Sequence, residues 1–244
     1  MRQDFVSFPS TKFSNRPNGR VFKSPAESPS VVSMPYLIIE HLEDISDWLW
    51  LEYSHVAQWW GDKLIFTNVR EDERERLAKL GSVITESVTK FPFDRSKLIV
   101  LDLQAEEELK PEDIEEDTMI VVGGILGDAV PRGRTREFIT SKMEGVKVRH
   151  IGKPQYSIDG ASIVAKLIAD GKRLEEIEYE EHPTIKLDEF SEITLHYAVP
   201  KLDGKLLLTP GLIDLQKREL GYTEADDEIS DEELIEFFEG KREL

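Results

Sequence analysis

The sequence predicts an α/β fold with a mostly parallel sheet and helices on both faces. Two observations carry this. Short continuous apolar runs (Tyr36–Ile39, Leu98–Leu101, Met119–Val122) alternate along the chain with longer segments of helical periodicity, the pattern of strands buried on both faces. A hydrophobic content of 39% over 244 residues, with no internal repeat, is ample for a packed core.

Taken in order, the chain divides into three parts. Residues 1–33 are rich in Ser and Pro, with Arg2, Lys12, Arg16, Arg20 and Lys23 against Asp4 and Glu27, a net +3. Such composition buries too little apolar surface to repay ordering, so a flexible tail or an over-long start is expected. The body, 34–220, opens with the strand Tyr36–Ile39. Ser46 then caps a helix over Asp47–Trp60, where Trp48, Leu49, Leu51, Val56, Trp59 and Trp60 form a wide apolar face that Gly61 ends. Leu64–Phe66 reads as a strand and Glu71–Leu80 as a charged helix stopped by Gly81.

The strands Leu98–Leu101 and Met119–Val122 follow, then a helix over Arg134–Met143 with Gly145 as its stop, a strand over Val146–Ile151 and a buried helix over Ile158–Ala169. Further candidates are Ile193–Val199, the Asp203–Gly204 turn, Leu206–Leu208 and a helix near Leu212–Leu220. In the last part, 221–244, ten acids in Glu224–Leu244 face only Lys241 and Arg242. Ser230 and Glu233 form a capping box before Leu234, so a short helix within an acidic tail is expected.

Composition narrows the function classes. No stretch reaches the roughly 18 apolar residues of a membrane helix, and the N-terminus lacks the apolar core of a secretory signal. Cysteine is absent, which removes disulfides and thiolate metal sites and suits a reducing, cytoplasmic setting. No metal site is expected. The formal net charge is −18, so the chain outside residues 1–33 carries −21. Nucleic-acid binders draw most of their affinity from basic surfaces. An acidic body instead attracts basic partners and speeds their encounter, or serves solubility alone.

The most informative stretch is Ile120–Asp128, an apolar run ending in Gly123–Gly124–Ile125–Leu126–Gly127–Asp128, followed by Pro131–Arg132–Gly133–Arg134–Thr135–Arg136. It reads either as a cofactor loop at a strand end or as a tight structural turn. A phosphate cradle would place Lys and Ser/Thr, or a helix N-terminus, directly after the glycines. Here an acid follows, and the spacing is not that of a dinucleotide loop. A cofactor without phosphates suits it better, and S-adenosylmethionine, a cationic sulfonium on an adenosine, fits that description.

Tyr36–Leu37–Ile38–Ile39–Glu40–His41, Leu51–Glu52–Tyr53–Ser54, Gly123–Asp128, Pro131–Arg132, Arg134–Thr135 and Gly204–Lys205 together resemble a small family of SPOUT-class methyltransferases. Its characterised branch methylates arginine in a small-subunit ribosomal protein. The resemblance runs from about Met34 to Lys217 and departs from the family pattern at Ala129–Val130 and Gly133. It implies a C-terminal part threaded as a trefoil knot and S-adenosylmethionine held among three segments. Leu101 and Leu103 belong to the first. Gly123, Gly124, Ile125, Leu126 and Gly127 belong to the second, and Ile151, Gln155, Tyr156, Ile158 and Ala161 to the third. A monomer or homodimer is implied.

Arginine as acceptor adds a chemical requirement. Its guanidinium stays protonated, so carboxylates must grip the planar fork and take up the released proton. Glu40, closing the first strand, and Asp128, ending the glycine loop, are the candidates; His41 reads better as a hydrogen-bonded structural residue. Between Pro131 and Lys153 stand Arg132, Arg134, Arg136, Lys142, Lys147, Arg149 and Lys153 against Glu137 and Glu144, a net +5. Arg132 and Arg134 are substrate-binding candidates. The island could hold RNA phosphates, meet a protein substrate, or pair with the acidic runs Glu106–Asp117 and Glu175–Glu192. The charge of the body favours a basic ribosomal protein as substrate. An RNA methyltransferase and a non-catalytic S-adenosylmethionine-binding module are the alternatives.

Overall fold

The structure, a computed structural model, describes residues 34–126 and 133–221. The expectations for residues 1–33 and for the acidic segment at 222–244, and those for Gly127, Asp128 and Arg132, fall outside the described residues.

Apolar runs and helical segments alternate as the sequence predicts. β1 (Tyr36–His41), α1 (Asp47–Trp60), β2 (Leu64–Thr67), α2 (Arg74–Leu77), β3 (Ser82–Val83), β4 (Leu98–Leu101), β5 (Met119–Gly124), α3 (Arg134–Phe138), β6 (Lys147–Arg149) and α4 (Ile158–Ala169) build the main layer structure. Six strands form one sheet in the order β3-β2-β1-β5-β4-β6, and every neighbouring pair is parallel. The chain steps outward from β1 to β3, crosses to the other side for β4, and inserts β5 between β1 and β4. That reversal creates the kind of crevice at strand carboxyl ends where α/β proteins place ligands.

Side chains alternate across a strand, and the core follows that rule. Leu37, Ile39, Ile99, Leu101, Ile120 and Val122 face one layer with α1 and α4. Ile38, Leu98, Val100 and Val121 face the other, against Val88, Ile139 and Met143. The two faces are covered unequally. Two long helices cover the first, while the second relies on the short α3 and irregular chain. Arg134–Met143 is therefore one turn of α3 and a 3-10 turn at Thr140–Lys142, not one helix. Glu71–Leu80 likewise shrinks to α2, because Leu77 is the buried anchor there.

After α4 the chain adds β7 (Tyr179–Glu181), β8 (Thr184–Lys186), β9 (Glu192–Thr194), β10 (Ala198–Leu202), β11 (Lys205–Leu206) and α5 (Leu212–Glu219). The candidate Ile193–Val199 splits into parts of β9 and β10, which belong to different small sheets. These short strands pack on a separate cluster around Ile185, Leu195, Val199 and Leu212. Among the described residues no helix is long and apolar enough to cross a membrane.

Candidate active site

At the carboxyl ends of β4 and β5 lies a cleft of about 170 Å³. Three segments wall it: Leu101–Gln104 after β4, the end of β5 from Val122 to Ile125, and the stretch from Ile151 to Ala161 that leads into α4. α3 adds Arg134 and Thr135. Each segment sits there for a local reason. Asp102 turns the chain after β4 by accepting Gln104 N at 2.9 Å. Ser157 caps α4, its Oγ accepting Gly160 N at 3.2 Å.

The cleft suits a ligand without phosphates. Leu101, Leu103, Ile125, Ile151, Pro154 and Ile158 give it apolar walls. Its acid, Asp102, is 2% exposed and also accepts Arg136 Nε at 3.2 Å and Thr140 Oγ1 at 2.8 Å. Gly123 leaves the floor open: a Cβ there would stand 3.3 Å from Thr135 Oγ1 and 3.6 Å from Ile139 Cδ1. An adenosine with a short thioether or sulfonium arm suits these mostly apolar surroundings, and among the described residues no lysine lines the cleft.

The structure brings most of the expected cofactor residues together. Leu101, Leu103, Gly123, Ile125, Ile151, Gln155, Tyr156, Ile158 and Ala161 all line the cleft, as does Arg134. Gly124 does not. It packs against α1, and a Cβ would stand 2.9 Å from both the Glu40 carbonyl oxygen and Ile39 Cγ2. Leu126 is also outside the lining; its backbone is held by Glu43, whose Oε2 accepts Leu126 N at 3.3 Å. Sequence reasoning missed Asp102 and Glu43. Asp102 was the more legible, being the first polar residue after an apolar strand.

Glu40 requires a correction. Its side chain lies on the face of β1 shared with Ile38, away from the cleft lining. It is 2% exposed and accepts Thr67 Oγ1 at 2.6 Å, Ser87 Oγ at 2.5 Å and Val88 N at 2.8 Å. A carboxylate occupied in this way ties β1 to β2 and to the chain after β3. His41, one residue on, points to the opposite face. Its Nδ1 meets the Tyr53 hydroxyl at 2.9 Å and its Nε2 meets Glu73 Oε2 at 3.1 Å. Burial and then nearby carboxylates hold Tyr53 well above the ordinary phenol range, so it remains a hydroxyl.

The basic island is partly consumed by the fold. Arg134 pairs with Glu43 at 3.1 Å and Arg136 with Asp102 at 3.2 Å. Arg149 pairs with Asp113 at 2.9 Å and with Glu107 at 3.1 Å, both in the acidic run after β4. These arginines have internal counter-ions.

Behind the cleft, two buried carboxyl groups divide their charge. Asp159 Oδ2 accepts His55 Nδ1 at 2.8 Å and Thr209 Oγ1 at 2.7 Å. Its Oδ1 accepts Ser157 Oγ at 2.5 Å and Gly160 N at 2.8 Å. Trp59 Nε1 donates to His55 Nε2 at 3.2 Å, so the imidazole proton sits on Nδ1 and points at Asp159. Burial alone would raise the Asp159 carboxyl, but the hydrogen bonds from His55, Ser157 and Thr209 hold it below the ordinary range.

Glu52 goes the other way. Burial first, then repulsion from Asp159, pushes it up to about 8, although Trp48 Nε1 and Ile158 N both donate to it. Between the ordinary value near 4.5 and about 8 the folded state therefore holds a proton that the unfolded chain has released. Stability falls as pH rises through that window. Melting temperature measured from pH 5 to 9 is expected to decline for the native chain and to decline less for Glu52→Gln.

A family model for SFM1-like protein arginine N-methyltransferases matches residues 36–223. The chain is 33% identical over 201 residues to the protein arginine N-methyltransferase SFM1 of Saccharomyces cerevisiae, covering 75% of this chain and 94% of that one. The chain belongs to the SFM1-like protein arginine N-methyltransferase family. Solved structures agree. Yeast SFM1 complexed with S-adenosylmethionine superposes at a TM-score of 0.69 with 29% identity, over 76% of this chain and 91% of that one. The complex with S-adenosylhomocysteine gives 0.67 and 30%, over 74% and 93%. The mostly parallel, SPOUT-like α/β architecture expected from the sequence is thus borne out.

Proposed function

We propose that this chain is an S-adenosylmethionine-dependent methyltransferase that modifies arginine in a basic, ribosomal protein in the cytoplasm, with a working unit of about residues 34–220. The observation that carries the reading is the cleft: three separate segments with mostly apolar walls converge at the ends of β4 and β5, in a chain alike to SFM1 over nearly all of that protein's length.

Leu101, Leu103, Ile125, Ile151 and Ile158 would clasp the adenosine, and bare backbone at Gly123 would let it approach the floor. When bound, S-adenosylmethionine supplies the methyl group: its carbon–sulfur bond breaks as a nitrogen–carbon bond forms, leaving a thioether, and the acceptor guanidinium sheds one proton. The protein's own part is positional, since transfer between two held reactants is governed by approach and alignment. Asp102 and Arg136 fix the β4 turn to α3. Asp128 stays in the proposal as the acid that receives the proton, and Arg132 and Arg134 as residues on the substrate side. The internal pairing of Arg134, Arg136 and Arg149 leaves less of the basic island for RNA phosphates and favours the protein substrate.

Leu103 offers a clean test of the cleft. It is 39% exposed in the free protein yet lines the site, so Leu103→Ala removes ligand contact without opening the core. Burying a whole leucine side chain is worth about 1.5–3 kcal/mol; the part of Leu103 still open to a ligand is then worth about 0.6–1.2 kcal/mol, roughly threefold to eightfold in affinity. Calorimetric titration with S-adenosylhomocysteine should show that loss at an unchanged melting temperature. Unchanged affinity would place the ligand elsewhere.

A further inference from the structure

The molecule already holds one guanidinium at the lip of the cleft. Glu43 stands in the connection between β1 and α1 and presents both carboxylate oxygens to the far wall. Oε2 accepts Leu126 N at 3.3 Å, and Oε1 accepts Arg134 Nη1 at 3.1 Å. The other terminal nitrogen of Arg134 donates to the Leu126 carbonyl oxygen. A planar fork is thus gripped by one carboxylate and one carbonyl, the chemistry that selects a guanidinium over an ammonium.

We propose that Glu43 and the Leu126 carbonyl oxygen are the seat of the acceptor arginine, and that Arg134 occupies this seat until the substrate's guanidinium replaces it. The inference rests on the arginine methyltransferase reading.

Three features support it. The neighbouring carboxylates Glu40 and Asp102 are each 2% exposed and engaged by several donors of the fold. The Glu43 and Arg134 side chains are 29% and 27% exposed, so a solute can reach the pair. A partly exposed ion pair of this kind contributes modest net stability. Replacing one guanidinium by another also leaves the charge on Glu43 balanced, so the carboxylate never stands alone during exchange. Arg134 lines the cleft itself, which puts the seat beside the proposed methyl donor site.

The test uses the full chain saturated with S-adenosylhomocysteine and two fluorescent peptides, one arginine-rich and one with every arginine replaced by lysine. Anisotropy gives both affinities, and their ratio removes the general effect of charge. The native chain should prefer the arginine peptide. Arg134→Ala should raise that preference about threefold to tenfold, because the seat is vacated. Glu43→Gln should abolish it. Affinity for S-adenosylhomocysteine, measured by calorimetry, should stay within about twofold in Glu43→Gln, since Glu43 is not part of the cleft lining.

A preference that survives Glu43→Gln, or falls in Arg134→Ala, overturns the proposal. So does a tenfold loss of S-adenosylhomocysteine binding in both variants, which would make the pair a latch of the cofactor loop. Failure of methyl transfer to arginine with the peptide preference intact would count against the proposed activity and leave the seat standing.

Discussion

Asp159→Ala is expected to destabilise the fold by about 3–5 kcal/mol, the usual cost of removing one partner from a buried charged network. The carboxylate is 2% exposed and joins three elements: His55 on α1, Ser157 and Gly160 at the start of α4, and Thr209 ahead of α5. Alanine takes the acceptor from His55, Ser157 and Thr209, each an unfavourable desolvation of about 1–3 kcal/mol, while Gly160 N keeps Ser157 Oγ. It also leaves Glu52 without the neighbour that raises its proton affinity. Urea titration followed by circular dichroism should show a lower midpoint with a similar slope. Ile158 and Ala161 on the same helix end line the cleft, so S-adenosylhomocysteine affinity should fall as well. Asp159→Asn, which keeps the shape and one acceptor oxygen, should lose less.

Gly124→Ala is the second large effect. A Cβ at this position falls inside contact distance of the Tyr53 hydroxyl and 2.9 Å from the Glu40 carbonyl oxygen and Ile39 Cγ2. The carbonyl is backbone of the paired strand, with Glu40 and His41 in register with Gly123 and Gly124. Neither it nor Tyr53, fully buried and bonded to His41, can step aside freely. Overpacking of this kind costs about 1–3 kcal/mol, and relief by moving β5 would displace Gly123 from the cleft floor. Thermal melting and S-adenosylhomocysteine titration should therefore both shift. Gly123→Ala, whose nearest contact is 3.3 Å from a threonine hydroxyl, should melt close to the native chain.

These two positions also mark how far the sequence could be read. The parallel core was legible because its strands are continuous apolar runs, and hydrophobic burial dictates where they go. Short exposed strands such as β7, whose residues Tyr179–Glu181 are all solvent-facing, carry no such signature. At the site, the three segments expected to hold the cofactor were legible as strand ends plus a resemblance, and they do meet in one cleft. The direction of individual side chains was not. Adjacent Glu40 and His41 look alike as strand-end polar residues, yet alternation sends one to Ser87 and the other to Tyr53. Gly124 read as part of a cofactor loop, and its demand for smallness comes instead from Tyr53, distant in sequence. Glu43 looked like an ordinary loop acid until tertiary contact with Arg134 and Leu126 gave it a partner.

The central claim, methyl transfer to arginine of a basic protein, is tested most directly by following the methyl group. The full chain is incubated with methyl-labelled S-adenosylmethionine and a ribosomal extract. The product is divided between nuclease and protease and then hydrolysed for amino-acid analysis. The account predicts label that resists nuclease, is released by protease and is recovered as methylated arginine. Label released by nuclease, or bound S-adenosylmethionine with no transfer to any component, would contradict it.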